Sequence, residues 1–336
     1  MKQLLKLGIL GLALSAVSAG TSFAADTVRV ASFTSPKAST VKSVMMPWMK
    51  DVAGDTGGAV NFKGFWGGAL GRNPRKQIDM VLGGTTDVAF IVPSYTLTRF
   101  PETSIFSLPY MFRNGVESST AAWRMYEKGL LSGFDKFHPV AIYASDNNTL
   151  HVAKPIKALA DVKGMKFRAA GPMESRIVKM LGGTPVGMPP TTVTESVSRG
   201  VINGALLSWT GARSFRVFQV TKGHLEEPLG TLALVIGMNK KSYDSKPKKV
   251  RASMDRHGGL KMSVRGGQAF DNASKGFSGK MRKDKSRTFL SFSGADWEKR
   301  KKFFSVLHSD WIKNTPDGKA KYAALVGILK DIRSGK

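Results

Sequence analysis

The alternation of apolar and polar residues over the first hundred positions predicts strands and helices in turn. Residues 27–32 and 60–65 alternate as strands do, and 87–92 is a continuous apolar run typical of a buried parallel strand. Apolar residues recur at helical spacing over 40–52 and 75–82. This order predicts a parallel sheet with helices on its faces.

A second series of the same kind begins near residue 140. The pattern predicts further strands at 140–145, 165–169, 204–208 and 232–238, and helices at 172–181, 191–199, 214–221, 296–310 and 318–332. Two such units joined by crossing strands predict an α/β fold with two lobes. Ligand sites in open α/β sheets lie beyond the carboxyl ends of the strands, here in the cleft between the lobes.

The chain is expected to divide into a leader and two lobes. We assign residues 25–147 and 234–273 to lobe 1. We assign residues 148–233 and 274–336, with the C-terminal helices, to lobe 2. The hinge is then expected where the chain crosses between the lobes.

The first 24 residues are predicted to be a secretory signal peptide. Lys2 and Lys6 precede an apolar run over 7–17, and small residues follow, with Ser22 and Ala24 at the −3 and −1 positions of a cleavage site. The run is shorter than the roughly 20 residues that cross a bilayer as a helix. We therefore expect cleavage near Ala24-Ala25 and export of the remaining chain.

Charge is the unusual part of the composition. Lys and Arg number 51 and Asp and Glu 24, a net charge of +27, and cysteine is absent. The densest basic clusters are 281–287 and 299–302, where short runs usually hold solvated side chains. A nucleic-acid or lipid-binding face is the alternative, but no zinc-finger, RNA-binding or zipper pattern accompanies the charge. We expect a weak non-specific contact with polyanions, and an exported polyanion-binding protein that uses this basic surface is the alternative function.

The sequence contains no recognisable catalytic constellation. None of the five histidines belongs to an H-E-x-x-H motif, and neither a cysteine nor a G-x-S-x-G elbow is present. Glu226 and Glu227 are neighbours that point apart, which predicts a solvated turn before Pro228. We expect no catalytic residue, no metal and no cofactor. A secreted hydrolase with a cryptic site stays an alternative.

One segment in the second half carries the strongest family signal. Residues 159–168 read LADVKGMKFR, then 169–172 read AAGP, 182–186 GGTPV, and 191–203 end in SRGVIN. This order resembles the solute-binding proteins of TRAP (tripartite ATP-independent periplasmic) transporters, the DctP-like family. GALG at 68–71, DVAF and SLPYMF match further, in the right order over nearly the whole chain.

The resemblance implies a type II-like periplasmic-binding-protein fold that closes on an organic acid. It further implies a periplasmic location and delivery of the acid to the membrane subunits of a TRAP permease. In that family the Arg that ends the K-I-R strand pairs with the ligand carboxylate, and here that position is Arg168. Arginine stays charged when desolvated and fits a carboxylate with two parallel hydrogen bonds. An Arg paired with a neighbouring acid is the alternative.

Departures from the family pattern suggest the kind of ligand. Neutral Thr192, Thr194 and Asn203 stand where the family has an acid, an aromatic residue and Asp. Leu207 and Ser208 replace the frequent Asn and Pro, with Trp209 next. Apolar Leu207 and flat Trp209 suggest an aromatic or branched monocarboxylate rather than a C4-dicarboxylate or sialic acid. The other residues expected to line the cleft are Phe33, Trp66, Tyr95, His151 and Phe167. A core role is the alternative for both phenylalanines, and a structural role is the alternative for His151.

Overall fold

The structure is a computed structural model that describes residues 26–336, so the predicted signal peptide lies outside the described residues. The first sheet has the strand order β2-β1-β3-β10-β4. β1 is parallel to β2 and β3, whereas β10 is antiparallel to β3 and β4. The strands are β1 (Asp26–Ala31), β2 (Val60–Phe65), β3 (Val88–Ile91), β4 (Phe137–Ala144) and β10 (Ala233–Asn239).

The second sheet has the order β11-β9-β5-β8-β6-β7. Its central strand β8 is antiparallel to β5 and parallel to β6. The strands are β5 (Asn148–Val152), β6 (Lys166–Ala169), β7 (Thr184–Gly187), β8 (Gly204–Ser208), β9 (Gly223–Leu225) and β11 (Thr288–Leu290). The α/β class with two lobes, predicted from the sequence, is confirmed.

Eleven α-helices of the described part cover the two sheets. They are α1 (Met46–Asp55), α2 (Gln77–Leu82), α3 (Gly115–Glu127), α4 (Pro172–Met180), α5 (Val193–Ser198), α6 (Trp209–Ser214), α7 (Lys240–Asp244), α8 (Lys248–His257), α9 (Gly259–Met281), α10 (Gly294–Asn314) and α11 (Gly318–Arg333). A π-helical turn, Thr40–Met45, leads into α1. None of the helices in residues 26–336 combines the length and apolar character needed to cross a bilayer.

The chain crosses between the sheets at three places. Residues 145–147 connect β4 of the first sheet to β5 of the second, and 226–232 lead from β9 back to β10. Residues 240–287, which include α7, α8 and α9, lead from β10 to β11 of the second sheet. The long helix α9 belongs to the third connection, and its Phe270 and Asp271 line different cavities next to the two shorter ones. We call residues 145–147 and 226–232 the hinge region, and the assigned lobe boundaries stay a prediction.

The C-terminal helices contact both halves of the molecule. Arg333 of α11 donates to Glu117 of α3, and Lys321 donates to Glu102. On the other side, Asp310 of α10 pairs with Arg176 of α4. Their assignment to lobe 2 therefore stays a prediction.

One predicted helix is wrong. The expected helix at 214–221 is replaced by α6, which begins at Trp209 directly after β8, and by a short 3₁₀ turn at Val217–Gln219. Ser208 ends the strand and caps the helix, because its hydroxyl accepts a hydrogen bond from the Gly211 amide at 3.1 Å. The cap fixes the start of the helix five residues earlier than apolar spacing indicates.

Candidate functional site

A small enclosed cavity lies between the two sheets, and we call it the Arg168 cavity. Its volume is about 60 Å³, and residues of both sheets line it. Phe33 and Phe90 come from the first sheet region, whereas Arg168, Leu207 and Phe215 come from the second. The cavity is thus at the carboxyl ends of β1, β3, β6 and β8, where open α/β sheets place ligand sites.

Arg168 supplies the only basic side chain among the described residues that line this cavity. It is the third of the four residues of β6 and is only 1% exposed. Its Nε donates to the Met188 carbonyl at 3.2 Å, Nη1 to the Leu206 carbonyl at 3.3 Å, and Nη2 to the Tyr95 hydroxyl at 3.2 Å. A guanidinium has five N–H groups, so two remain for another partner.

No carboxylate within residues 26–336 forms an ion pair with Arg168. The alternative role, an Arg paired with a neighbouring acid, is therefore wrong for the described chain. A buried charge that lacks an opposite charge is costly, even with good hydrogen bonds to carbonyls. An anion entering the cavity would remove that cost.

Tyr95, Asn148 and Glu174 are among the further polar side chains that line the same cavity. Tyr95 accepts the bond from Arg168, and its own O–H has no acceptor among the described residues. Burial raises the pKa of Tyr95, so its proton stays in place at neutral pH. Asn148 is 4% exposed and its amide is unpaired within the described chain. Glu174, at the start of α4, is 2% exposed and accepts from the Ser107 hydroxyl at 2.7 Å.

Aromatic rings form an apolar wall beside these polar groups. The ring of Phe33 stacks on Phe90 at 5.1 Å between centroids and lies nearly parallel to Phe215 at 6.4 Å. Phe33 and Phe90 belong to one lobe and Phe215 to the other, so this stack crosses the gap between the lobes. Thr194 fixes the far end, because its hydroxyl donates to the Phe215 carbonyl at 2.6 Å. A flat apolar body fits such a wall.

The structure brings four of the eight predicted site residues together, namely Phe33, Tyr95, Arg168 and Leu207. Trp209 was expected to contact the ligand, but its side chain faces away from the Arg168 cavity. Its indole packs against His151 and His224, both at 4.6 Å, and its Nε1 donates to Glu226 at 2.9 Å.

His151 was expected to line the cleft, but it is fully buried and belongs to a chain of hydrogen bonds outside the cavity. Its Nε2 lies 3.1 Å from the Leu207 carbonyl, which only accepts, so Nε2 donates. Nδ1 then accepts from His224 Nδ1 at 2.9 Å. Burial lowers the pKa of His151 to about 3 and of His224 to about 2, which keeps both neutral.

Phe167 and Trp66 likewise lie outside the cavity. Phe167 points to the face of β6 opposite Arg168, as strand alternation requires, and its ring is buried in the space left by Gly183 and Gly204. Trp66 folds back over Gly64, where an added Cβ would lie 2.3 Å from the indole. Both side chains therefore pack in the fold instead of facing the ligand site.

Two of the other neutral residues that depart from the family pattern also have structural roles. Asn203 Oδ1 accepts from the Lys166 amide at 2.8 Å, which holds the start of β6. The Thr192 hydroxyl donates to the Pro189 carbonyl at 3.1 Å in the turn before α5. Neither requires the acid that the family pattern has at its position.

A second, open groove of about 750 Å³ lies on the other face of the hinge region, and we call it the hinge groove. Consecutive residues divide between the two spaces: Ser145 and Asn148 line the Arg168 cavity, whereas Asp146 and Asn147 line the hinge groove. Burial raises the pKa of Asp146 to about 6, and its Oδ1 lacks a hydrogen-bond partner.

The solvated turn predicted at Glu226 and Glu227 is wrong. Glu227 is 4% exposed and receives two hydrogen bonds from Arg300, at 3.0 and 2.6 Å, and one from the Tyr110 hydroxyl. Glu226 pairs with Arg282. Both acids of this part of the hinge groove are thus already paired with arginines. Within the described residues, no cluster of three or more His, Asp or Glu side chains could hold a metal.

Sequence reasoning missed Phe90, Asn148, Glu174 and Phe215. Phe90 was visible only as part of an apolar run, although its place near the carboxyl end of β3 is where site residues are expected. Glu174 looks like any acid in the first turn of a helix, where it suits the helix dipole. The sequence carries no signal that this acid is buried.

Known proteins resemble the whole described fold. The family model described as bacterial extracellular solute-binding protein, family 7 (DctP), matches residues 30–314. A TRAP solute-binding protein from Rhodoferax ferrireducens T118, solved with copurified benzoate, is 26% identical. It has a TM-score of 0.86 and covers 92% of this chain and 99% of its own.

A second solved structure and one curated sequence agree with this. A marine metagenome TRAP solute-binding protein specific for aromatic acid ligands, in complex with 3-hydroxybenzoate, is 28% identical with a TM-score of 0.84, over 92% of this chain and 98% of its own. A solute-binding protein from Verminephrobacter eiseniae is 27% identical over 207 residues, which are 59% of this chain and 60% of the relative. The chain thus matches little more than half the length of this curated relative.

Proposed function

Because the chain belongs to the bacterial extracellular solute-binding proteins of family 7, we propose that it captures an aromatic monocarboxylate in the Arg168 cavity and delivers it to a TRAP permease. The observation that carries the proposal is the buried Arg168 guanidinium, which has two free N–H groups and no acid partner among residues 26–336. A ligand carboxylate would supply the missing opposite charge with paired hydrogen bonds.

Neighbouring donors support the same placement of the carboxylate. Tyr95 has an unused O–H and Asn148 an unused amide, and both line the cavity with Arg168. A carboxylate accepts four or more hydrogen bonds through its two oxygens, so one ligand group satisfies all three side chains. The acid would thereby be enclosed, where its ion pair is poorly screened by salt.

An aromatic body for the ligand is supported by the stacked wall. Phe33, Phe90 and Phe215 form it, and Leu207 replaces a frequent polar residue of the family. The solved relatives above are described with benzoate and with 3-hydroxybenzoate. A branched apolar acid would meet the same wall with less contact than a flat ring.

The remaining parts of the proposal follow from the family. Solute-binding proteins of this kind act outside the cytoplasm without chemical turnover, and we extend both properties to this chain. Export rests on the signal-peptide pattern of residues 1–24. Binding by lobe closure suits delivery to a permease, because opening of the lobes releases the ligand chemically unchanged.

Titration calorimetry with benzoate tests the central assignment. Arg168→Ala should lose at least about 30-fold in affinity, because it removes a charge-assisted pair of hydrogen bonds. Arg168→Lys should also bind poorly, since a point charge does not replace the planar fork. Circular dichroism should show both variants folded.

Arg213→Ala provides a matched control, because that arginine contacts the Phe277 ring and lies outside the cavity lining. Its benzoate affinity should equal that of the unmodified protein. Equal affinities for Arg168→Ala and Arg213→Ala would remove the proposed site.

A further inference from the structure

A bound carboxylate would satisfy the hydrogen-bond donors of the Arg168 cavity but not its acidic acceptor. Arg168, Tyr95 and Asn148 offer hydrogen-bond donors, which a ligand carboxylate satisfies. Glu174 is the only acidic side chain among the described residues of the lining. The carboxylate of a ligand offers Glu174 no hydrogen-bond donor, because an ionised carboxylate only accepts hydrogen bonds.

One oxygen of Glu174 is used and the other is free. Oε1 accepts from the Ser107 hydroxyl at 2.7 Å. Oε2 has no hydrogen bond within residues 26–336 and lies over the turn between β6 and α4, 3.1 Å from where a Cβ on Gly171 would be. Glu174 is 2% exposed and lines the cavity, so a ligand in the cavity would remove this oxygen from water, and an acceptor desolvated without a partner is costly.

We propose that Glu174 is a specificity-determining residue that selects aromatic acids carrying a second, hydrogen-donating group. This inference rests on the proposed function, since it assumes a carboxylate held at Arg168. The donor on the ligand, a hydroxyl or an ammonium, would bind the free oxygen of Glu174. An acid that lacks the donor leaves that oxygen unpaired and places two carboxylates in one enclosed space without a proton between them.

Glu174 also connects the two lobes, and this second role must be separated from selection. Ser107 belongs to the segment before α3, whereas Glu174 belongs to α4 in the second half of the chain. Loss of this bond should weaken every ligand equally by disfavouring closure. Loss of the free acceptor should weaken only ligands that bear the donor.

Calorimetry on matched pairs of acids distinguishes the two roles. The pairs are benzoate with 3-hydroxybenzoate and phenylacetate with mandelate, and phenylglycine adds an ammonium in the position of the mandelate hydroxyl. The protein should prefer the donor-bearing member of at least one pair by roughly tenfold or more. Glu174→Leu should reduce that preference to about one, while Ser107→Ala weakens both members equally and keeps the preference.

The outcomes separate this inference from the function on which it rests. Binding of benzoate and 3-hydroxybenzoate with equal affinity, and likewise of phenylacetate and its two donor-bearing analogues, overturns the role of Glu174 and leaves the proposed function standing. A preference that survives in Glu174→Leu also overturns it. If no acid of the panel binds, the proposed function fails and this inference fails with it. Glu174→Gln, which keeps an acceptor without the charge, should retain the preference for the hydroxyl and lose any preference for phenylglycine.

Discussion

Single residues at the hinge face opposite spaces, and this explains where the site prediction was wrong. Ser208 and Thr210 line the Arg168 cavity, whereas Trp209 between them lines the hinge groove. Trp209 is the first residue of α6, so its side chain follows the helix and not strand β8, whose Leu206, Leu207 and Ser208 all line the cavity. The sequence indicates that 207–209 reach the site region but does not show that Leu207 and Ser208 line the cavity while Trp209 lines the hinge groove.

Two aromatic substitutions test this distinction between the faces. Phe33→Leu should weaken benzoate binding about three- to tenfold, because it removes ring stacking from the wall of the cavity. Trp209→Phe should leave the affinity within about twofold and lower the free energy of unfolding by about 1–3 kcal/mol, since it loses the bond to Glu226 and packing on both histidines. Calorimetry and urea unfolding measure the two effects. The reverse result would return Trp209 to the ligand site.

Asp146 makes the stability of the hinge depend on pH. Burial raises its pKa to about 6 in the folded protein, above the roughly 3.9 of an unfolded Asp. Ionisation of Asp146 therefore destabilises the folded state. The contribution of the protonated Asp146 to the free energy of unfolding is fully present below about pH 4 and is lost as the pH rises through 6. Asp146→Asn should raise the free energy of unfolding by on the order of 2 kcal/mol at pH 7.5 and change it little at pH 4. Equal effects at the two pH values would contradict this assignment.

Strands and helices with a regular spacing of apolar residues were predictable from the sequence. A helix in which small residues interrupt that spacing was not. The strands β1, β2 and β8 lie within one residue of their predicted bounds. The 23-residue helix α9 was not identified, although it contacts α3 and β4. Its buried face includes Gly266 and Gly267, which allow Tyr143 and the backbone at Gly115 to approach closely. Glycines at contact positions remove the apolar repeat by which a helix is recognised.

The start of α10 shows that the side chains of a basic run are not all exposed to solvent. Residues 299–302 were expected to be solvated, yet the side chain of Arg300 is only 13% exposed and that of Glu227, its partner, is fully buried. Arg300 also lies over the ring of Phe304, 5.0 Å from its centroid. The Lys299 side chain next to it is 77% exposed. Helical spacing alone decides which of these neighbours faces inward.

This contrast predicts very different costs for two adjacent substitutions. Arg300→Ala should lower the free energy of unfolding by about 3–5 kcal/mol, because it leaves Glu227 buried without its partner. Lys299→Ala should change it by no more than about 0.5 kcal/mol, as expected for an exposed pair. Urea unfolding followed by circular dichroism measures both. Similar midpoints for the two variants would show that the Arg300 pair contributes little.

At the scale of the molecule, the family is the part of the function that the sequence predicted best. The resemblance to TRAP solute-binding proteins is confirmed by the family match over residues 30–314 and by solved relatives that cover 92% of the chain. Its motifs are short segments in a fixed order, so they survive the many substitutions that change charge. Contact with polyanions, expected from the net charge of +27, finds no support among these relatives and stays a prediction.

The enclosed site requires the two lobes to separate before a ligand enters. Arg168 is 1% exposed, and two hydrogen bonds cross the gap beside it, from Arg168 to Tyr95 and from Ser107 to Glu174. An acid cannot reach the guanidinium while these contacts hold. Rotation about residues 145–147, 226–232 and the connection through α9 would break them. The strands furthest from the two short crossings, β2 and β7, would move most.

Fluorescence energy transfer between these two strands measures that motion, and the absence of cysteine in the chain allows specific labelling. Labels at Asn61→Cys on β2 and Thr184→Cys on β7, both exposed, should come closer when benzoate saturates the protein, because the bound carboxylate favours the closed arrangement. A control pair at Asn61→Cys and Lys136→Cys, on opposite edges of the first sheet, should show no change. Unchanged transfer between β2 and β7, with benzoate bound by calorimetry, would mean that the acid enters by side-chain movement within a rigid molecule. A change in the control pair would place the motion inside the first sheet and not at the hinge.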